Sequence, residues 1–290
     1  MSQNLADLLP SAGEAKGLRL WLKSSAYTKR LLSGTSDSWE SASKFLAYFS
    51  QAHGLLKPDV AVVEVGELFE SWLQRNPALR TDLLGKRKLS YPLRKLLEQT
   101  EPRAILQEVI EAVVAHLRGQ TPMILAMPSP RYWLVLANRL AGRETVEVDN
   151  DSIEDSAMYV ADLARSVSNS AVGGLLIEDV YDSISLGPVD LETYRPLINV
   201  TKHYRWPLAL RCNGTRPVDC AALADFDVII GGDEPPITGK VRGLDVSKPL
   251  WAGQPVPLLA AGQFHFVQIP VDAAPEAVLD SLAKLRAGTD

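Results

Sequence analysis

The stretch Val172–Gly214, VGGLLIEDVYDSISLGPVDLETYRPLINVTKHYRWPLALRCNG, decides how this chain is read. An apolar run ends in Glu178 and Asp179, a helical segment follows from Arg195, and a second apolar run, PLAL, ends in Arg211, Cys212, Asn213 and Gly214. Pro196 suits the first turn of that helix. Both runs carry their polar residues at the carboxyl end. Parallel α/β proteins place chemistry in this way, because the loops after the strands project side chains from strand ends into one shared opening.

Outward from this stretch, short apolar runs predict eight strands: Asp59–Gly66, Pro122–Ser129, Thr145–Asn150, Gly173–Val180, Pro207–Gly214, Phe226–Gly232, Pro249–Gly253 and Phe264–Pro270. Amphipathic segments at Ile105–Leu117, Tyr132–Leu140, Ile153–Val167 and Arg195–His203 predict helices between several of them. Alternation of strand and helix implies a parallel sheet, and eight units imply closure into a (β/α)8 TIM barrel. The pattern weakens over Asp233–Lys248, rich in Pro and Gly, where a degenerate barrel is expected. Residues 1–51, with Ser41–Phe49, read as an N-terminal helical extension packed on the barrel's outside or bottom. Residues 52–290 read as a single barrel domain, and 68–103 as a long βα excursion of the kind that shapes or covers a site.

Composition narrows the function classes. With 46% hydrophobic residues in 290, the chain can bury one large core. A formal charge of −5, and no basic block longer than Lys86–Lys88, argue against a nucleic-acid partner. No apolar run approaches the length that spans a bilayer, so no membrane role is expected. Two cysteines, Cys212 and Cys220, make no disulfide framework. Without a charged-then-apolar leader at the start, a cytoplasmic location is the expectation. Association as a homodimer is left open.

From about Ser41 onward, the order of elements resembles the uroporphyrinogen decarboxylase-like branch of the methionine synthase and decarboxylase barrels. The segments that carry the resemblance are KPDVAVVEVGELFESW, TPMILAMPSPRYWL, AMYVADLARSVSNSAVGGLLIEDVYDSISLGPVDLETYRPLINVTKHY and WPLALRCNG, with Tyr194, Pro196 and Gly214 matching a "Y-x-P" helix and a Gly-ended strand. The resemblance implies a barrel and a lyase or transferase. Zinc-dependent methyltransferases of that superfamily carry His-x-Cys where this chain has Arg211 and Asn213. Neither replaces a zinc ligand, so no metal is expected. Porphyrinogen decarboxylases hold their propionates with an Arg-rich N-terminal segment, matched here loosely by Leu18–Arg30, and use an acid at the first matching strand end, where Glu64 and Glu67 stand.

On this reading the opening collects Glu64 and Glu67; Ser129 and Arg131; Asp149, Asn150 and Asp151; Glu178, Asp179, Tyr181 and Asp182; Arg211 and Asn213; Asp233 and Glu234; Trp251 and Gln254. An apolar strand ending in guanidinium must supply a carboxylate partner or leave the charge for a ligand. Two readings of Arg211 therefore stand, an internal ion pair with Glu178 or Asp179 and an anchor for a substrate carboxylate. The second is preferred: Arg211 and Arg131 fork a carboxylate, with Asn213, Ser129 and Glu64 beside them as substrate-binding residues. Glu178 or Asp179, within the acid cluster that includes Asp182, moves a proton. Tyr181 either donates to a developing enolate or packs as an aromatic lid.

His265 is assigned to packing, and His53, His116 and His203 have no metal-ligand spacing. Cys212 alternates away from Arg211 and reads as inert. Gly173 precedes its strand and Gly231 runs into Pro235 and Pro236, so neither marks a phosphate loop and no cofactor is inferred. The function expected is a metal-independent lyase, a decarboxylase acting on a small organic carboxylic acid. The alternatives are a methyl or sulfur transferase and a non-catalytic binding or assembly barrel.

Overall fold

The computed structural model describes residues 4–10, 17–34, 36–83, 87–180, 190–212, 222–231 and 240–287. Eight parallel strands form one sheet: β1 Leu20–Lys23, β2 Ala61–Glu64, β3 Met123–Pro128, β4 Gly174–Asp179, β5 Leu208–Cys212, β6 Val228–Gly231, β7 Val241–Asp245 and β8 Gln263–Gln268. Each strand from β2 to β7 pairs with the next in sequence, and β8 returns to pair with β1, so the sheet is a (β/α)8 barrel. Among the described residues no backbone ladder joins β1 to β2. Side chains bridge that seam instead. Asp59 Oδ2 accepts from the N–H of Arg19 and of Leu20 at 3.3 and 3.0 Å, and Lys23 Nζ reaches Glu64 Oε1 at 3.1 Å at the other end.

Helices α1 Ser25–Leu32 and α2 Ala42–Leu56 connect β1 to β2. Helices α3 Val65–Arg75, α4 Pro77–Leu83, α5 Ser90–Leu97 and α6 Thr100–Leu117 lead to β3. Then come α7 Pro130–Leu140 and α8 Asn150–Ser166 before β4, α9 Arg195–Tyr204 before β5, α10 Ser247–Trp251 before β8, and α11 Pro275–Ala287 after it. The excursion 68–103 lies mostly in α3, α4 and α5. Its α5 packs against α7 and α8 and buries Leu93, Leu96 and Leu97 in the outer core, so this helix thickens the helical layer.

The pleat sorts the strand residues into two cores. Trp21, Val60, Ile124, Ala126, Leu176, Ala209, Val228, Ile230, Phe264 and Phe266 fill the barrel, with Trp21 stacked on Phe264 at 6.0 Å between ring centres. Their neighbours Val63, Leu125, Leu175, Ile177, Leu208 and Leu210 face the helices. The N-terminal turn at Leu5–Asp7 closes the bottom: Leu5 joins the interior cluster and its N–H donates to Gly173 O at 2.9 Å.

Four expectations are corrected. Residues 1–51 are not helical throughout, since they contain β1, which pairs with β8. The stretch Asp233–Lys248, expected to be degenerate, contains β7. Its glycine hid it, and Gly243 is required because a Cβ there would lie 2.7 Å from the Phe264 ring. Thr145–Asn150 alternates like a strand but forms none. It is a mostly exposed lead-in to α8, where Asp149 caps Ser152 N–H at 2.7 Å, and the place beside β3 belongs to β4. Pro249–Gly253 overlaps α10, a single helical turn.

Candidate active site

Glu178 and Asp179 are neighbours in sequence, and the pleat sends them to opposite sides of β4. Asp179 leaves the barrel for the helical layer. There it meets Arg131 of α7, whose Nε donates to Oδ1 at 2.9 Å and whose Nη2 donates to Oδ2, while Ser129 Oγ donates to Oδ1 at 2.6 Å. Ser129, Arg131 and Asp179 are 0%, 2% and 4% exposed. The buried Tyr194 of the "Y-x-P" segment lies beside them, its hydroxyl pKa pushed up by burial and by the Asp179 charge. This bidentate pair ties the start of α7 to the end of β4, away from the barrel interior.

Glu178 faces inward and meets a different set. Arg211 Nη1 donates to Glu178 Oε1 at 3.1 Å, and Lys23 Nζ donates to Oε2. Arg211 Nη2 also reaches Gln268 Oε1 at 2.7 Å and Asp245 Oδ2 at 3.4 Å, and the guanidinium lies over the Phe266 ring at 4.4 Å. Lys23, Glu64, Glu178, Arg211, Asp245 and Gln268 thus come from the carboxyl ends of β1, β2, β4, β5, β7 and β8. They form one charged layer above the apolar filling of the barrel, the level at which barrels of this kind place their chemistry.

Charge and burial give these groups distinct protonation behaviour. Burial disfavours the Lys23 cation, but Glu64 and Glu178 override it and raise its pKa above the ordinary lysine value. Burial likewise pushes Glu178 up, yet Lys23 and Arg211 together bring it below the ordinary carboxylate range. Glu64 has one cation instead of two. Burial pushes it up to about 7, helped by the Glu178 and Glu67 charges and opposed by Lys23. Glu64 is therefore the carboxyl in this layer poised near neutrality.

Linkage turns this into a prediction. Because the folded-state pKa of Glu64 lies above the ordinary 4.5, the fold favours its protonated form. That contribution is fully present below 4.5 and is lost as pH rises through 7, a swing of roughly 3 kcal/mol. Denaturant titrations at pH 5 and pH 8 should show Glu64→Gln losing less stability across this window than the parent. Parallel pH profiles would refute the assignment.

Of the nine site residues read from sequence, the structure brings Glu64, Glu178 and Arg211 together and places Ser129, Arg131 and Asp179 in the separate outer cluster. The Arg131–Arg211 fork is not formed. Tyr181, Asp182 and Asn213 lie outside the described residues. Of the other strand-end candidates, Glu67 pairs with Lys29 at 2.7 Å and Trp251 Nε1 donates to Gln268 O at 2.7 Å, while Asp233 and Glu234 lie outside the described residues. His265, assigned to packing, is buried with Nε2 2.8 Å from Pro257 O. Two cavities defined among the described residues, of about 60 and 250 Å³, are lined by neither Glu178 nor Arg211. Residues 181–189, 213–221 and 232–239, which follow β4, β5 and β6 in sequence, lie outside the described residues. Among those described, no three His, Cys, Asp or Glu side chains are grouped to hold a metal ion, and no helix is long and apolar enough to cross a membrane.

Lys23, Asp245 and Gln268 were missed from sequence. Lys23 and Asp245 end the two strands that were not recognised. Gln268 could have been found by counting alternate positions from Phe264 and Phe266 along a strand that was.

No protein-family model matches the chain, and no curated protein matches it in sequence. Solved structures do share parts of its course. Dihydrodipicolinate synthase from Agrobacterium tumefaciens aligns at 15% identity and a TM-score of 0.36, over 64% of this chain and 59% of its own. A 2,3-dimethylmalate lyase of the PEP mutase/isocitrate lyase superfamily aligns at 15% identity and a TM-score of 0.31, over 64% of this chain and 62% of its own. The chain thus spans about three fifths of the length of the structures it matches. The barrel itself rests on the strand order above.

Proposed function

We propose that the chain is a small-molecule enzyme of the lyase type acting on an organic carboxylic acid, with Glu64 as the proton-carrying group and Lys23 and Arg211 as the cations facing the substrate. One observation carries this reading: a carboxyl with a pKa near 7 sits 3.1 Å from a protonated lysine at the carboxyl ends of adjacent barrel strands. A general acid or base works best with a pKa near the operating pH. Glu178, held ionised between two cations, suits that role less than Glu64 does. Lys23 keeps its proton, which favours a donor and counter-ion over an amine nucleophile.

Decarboxylation, the finer form suggested by the uroporphyrinogen decarboxylase-like resemblance, uses these groups without a metal. In an acid bearing a carbonyl β to the carboxylate, the carbon–carbon bond breaks and its electron pair moves into an enolate as carbon dioxide leaves. Lys23 can donate to the developing enolate oxygen, a stabilisation that is strongest in a water-poor interior. The Glu64 carboxyl then delivers its proton to carbon and is re-protonated from solvent.

The experiment is a panel of 3-oxo acids and related carboxylates assayed for carbon dioxide release, with crystals soaked in the same pool. Density is expected against Lys23 and Arg211. Glu64→Gln should lower turnover by about 10²–10⁴-fold while leaving the ligand bound. A Glu64→Gln variant as active as the parent, or ligand density away from this layer, would overturn the reading.

A further inference from the structure

We propose that the 60 Å³ cavity at the β1–β2 seam is a hydrated channel that carries protons between solvent and Glu64. The inference deepens the Glu64 reading and rests on it. An acid that gives its proton to a substrate inside a barrel needs a supply that does not pass through the substrate. On the barrel side, among the described residues, Glu64 meets Lys23 and the Glu178 charge. Lys23 holds its own proton firmly, so that side offers no donor at neutral pH.

The seam offers another side. The cavity is lined by Val60 and Val62, which face into the barrel, and by Ala61 and Leu22, which face out of it. It therefore lies against the seam of the two strands, where no backbone ladder is formed among the described residues. With Glu64 in its lining, it has room for roughly four waters at ~15 Å³ each.

Its lining is polar enough to hold them. Thr28 Oγ1 and Tyr48 Oη lie 2.6 Å apart, and Tyr48 Oη reaches Ser25 O at 3.4 Å. Ser24 and Ser25 add further polar side chains to the lining, and a cavity with several polar partners of this kind holds ordered water. The titratable groups that line the cavity beside Glu64 are Glu67 from α3, whose partner is Lys29 from α1, and Tyr48 and His53 from α2, while Lys23 from β1 and Glu178 from β4 act on Glu64 from its barrel side. Burial and His116 hold the His53 pKa down, and burial holds the Tyr48 hydroxyl pKa up, so neither competes with Glu64 for its proton near pH 7.

The test needs no substrate. After a pH jump, time-resolved infrared follows protonation of the Glu64 carboxyl, identified by its loss in Glu64→Gln. In Ala52→Phe, which fills the cavity from α2, protonation should slow by about tenfold or more. Tyr48→Phe should slow it less, since the space remains. A high-resolution crystal structure should show ordered water in the cavity beside Glu64. An unchanged rate in folded Ala52→Phe, or a dry cavity, overturns the channel; should Ala52→Phe fail to fold, Ser25→Leu is read in the same way. A Glu64 signal that does not titrate between pH 5 and 9 overturns the function reading instead, so the two failures are distinguishable.

Discussion

Replacing Arg211 by Met should destabilise the fold by about 3–5 kcal/mol, the range for removing one partner of a buried ion pair. The side chain is 5% exposed and engages Glu178, Gln268, Asp245 and the face of Phe266 together. After the substitution Glu178 keeps Lys23, and Asp245 keeps the N–H and hydroxyl of Ser247. Those remaining partners place the expected loss toward the lower end. Adding Glu178→Gln should return part of it, because the uncompensated charge goes with it. Denaturant unfolding of the two variants beside the parent measures both effects. A loss below about 1 kcal/mol would mean that the Arg211 charge is open to solvent and not one partner of a buried ion pair.

Arg131→Met should do comparable damage, about 3–5 kcal/mol, for a different structural reason. Arg131 and Asp179 form a bidentate pair in the outer core, and Ser129 Oγ, which donates to the same carboxylate, also accepts from Tyr132 N–H at 3.2 Å at the start of α7. Removing the guanidinium leaves the enclosed Asp179 carboxylate without its bidentate cation and loosens the junction of α7 with β4. Asp179→Leu combined with Arg131→Met should recover much of the loss, since apolar replacement of a whole buried pair is often near neutral. Ligand binding in the barrel should survive in the double variant. Equal losses in the single and double variants would mean that the pair contributes through packing and not through charge.

Much of the barrel was legible because burial imposes a period. β3, β4, β5 and β8 are buried on both faces over most of their length and read as apolar runs ending in polar residues, the pattern that placed Glu178, Arg211 and Ser129 at strand ends. Local signals failed where a strand is short or holds a glycine. β1 has four residues inside a polar-flanked segment, and β7 keeps Gly243 to make room for Phe264. The count of eight strands was right although two of its members were not, since Thr145–Asn150 and Pro249–Gly253 stood in for β1 and β7.

By itself, then, the sequence determined a parallel α/β barrel with acids and arginines at its strand ends, because alternation and strand-end polarity are local properties. Only the tertiary structure decided which charges meet. The pleat parts Glu178 from Asp179, and closure of the sheet brings Lys23 and Gln268 from the two ends of the chain against Glu178 and Arg211 from its middle. Ion pairing depends on distances of a few ångströms across strands that are far apart in sequence. No local pattern encodes which of two adjacent acids such a barrel will enclose.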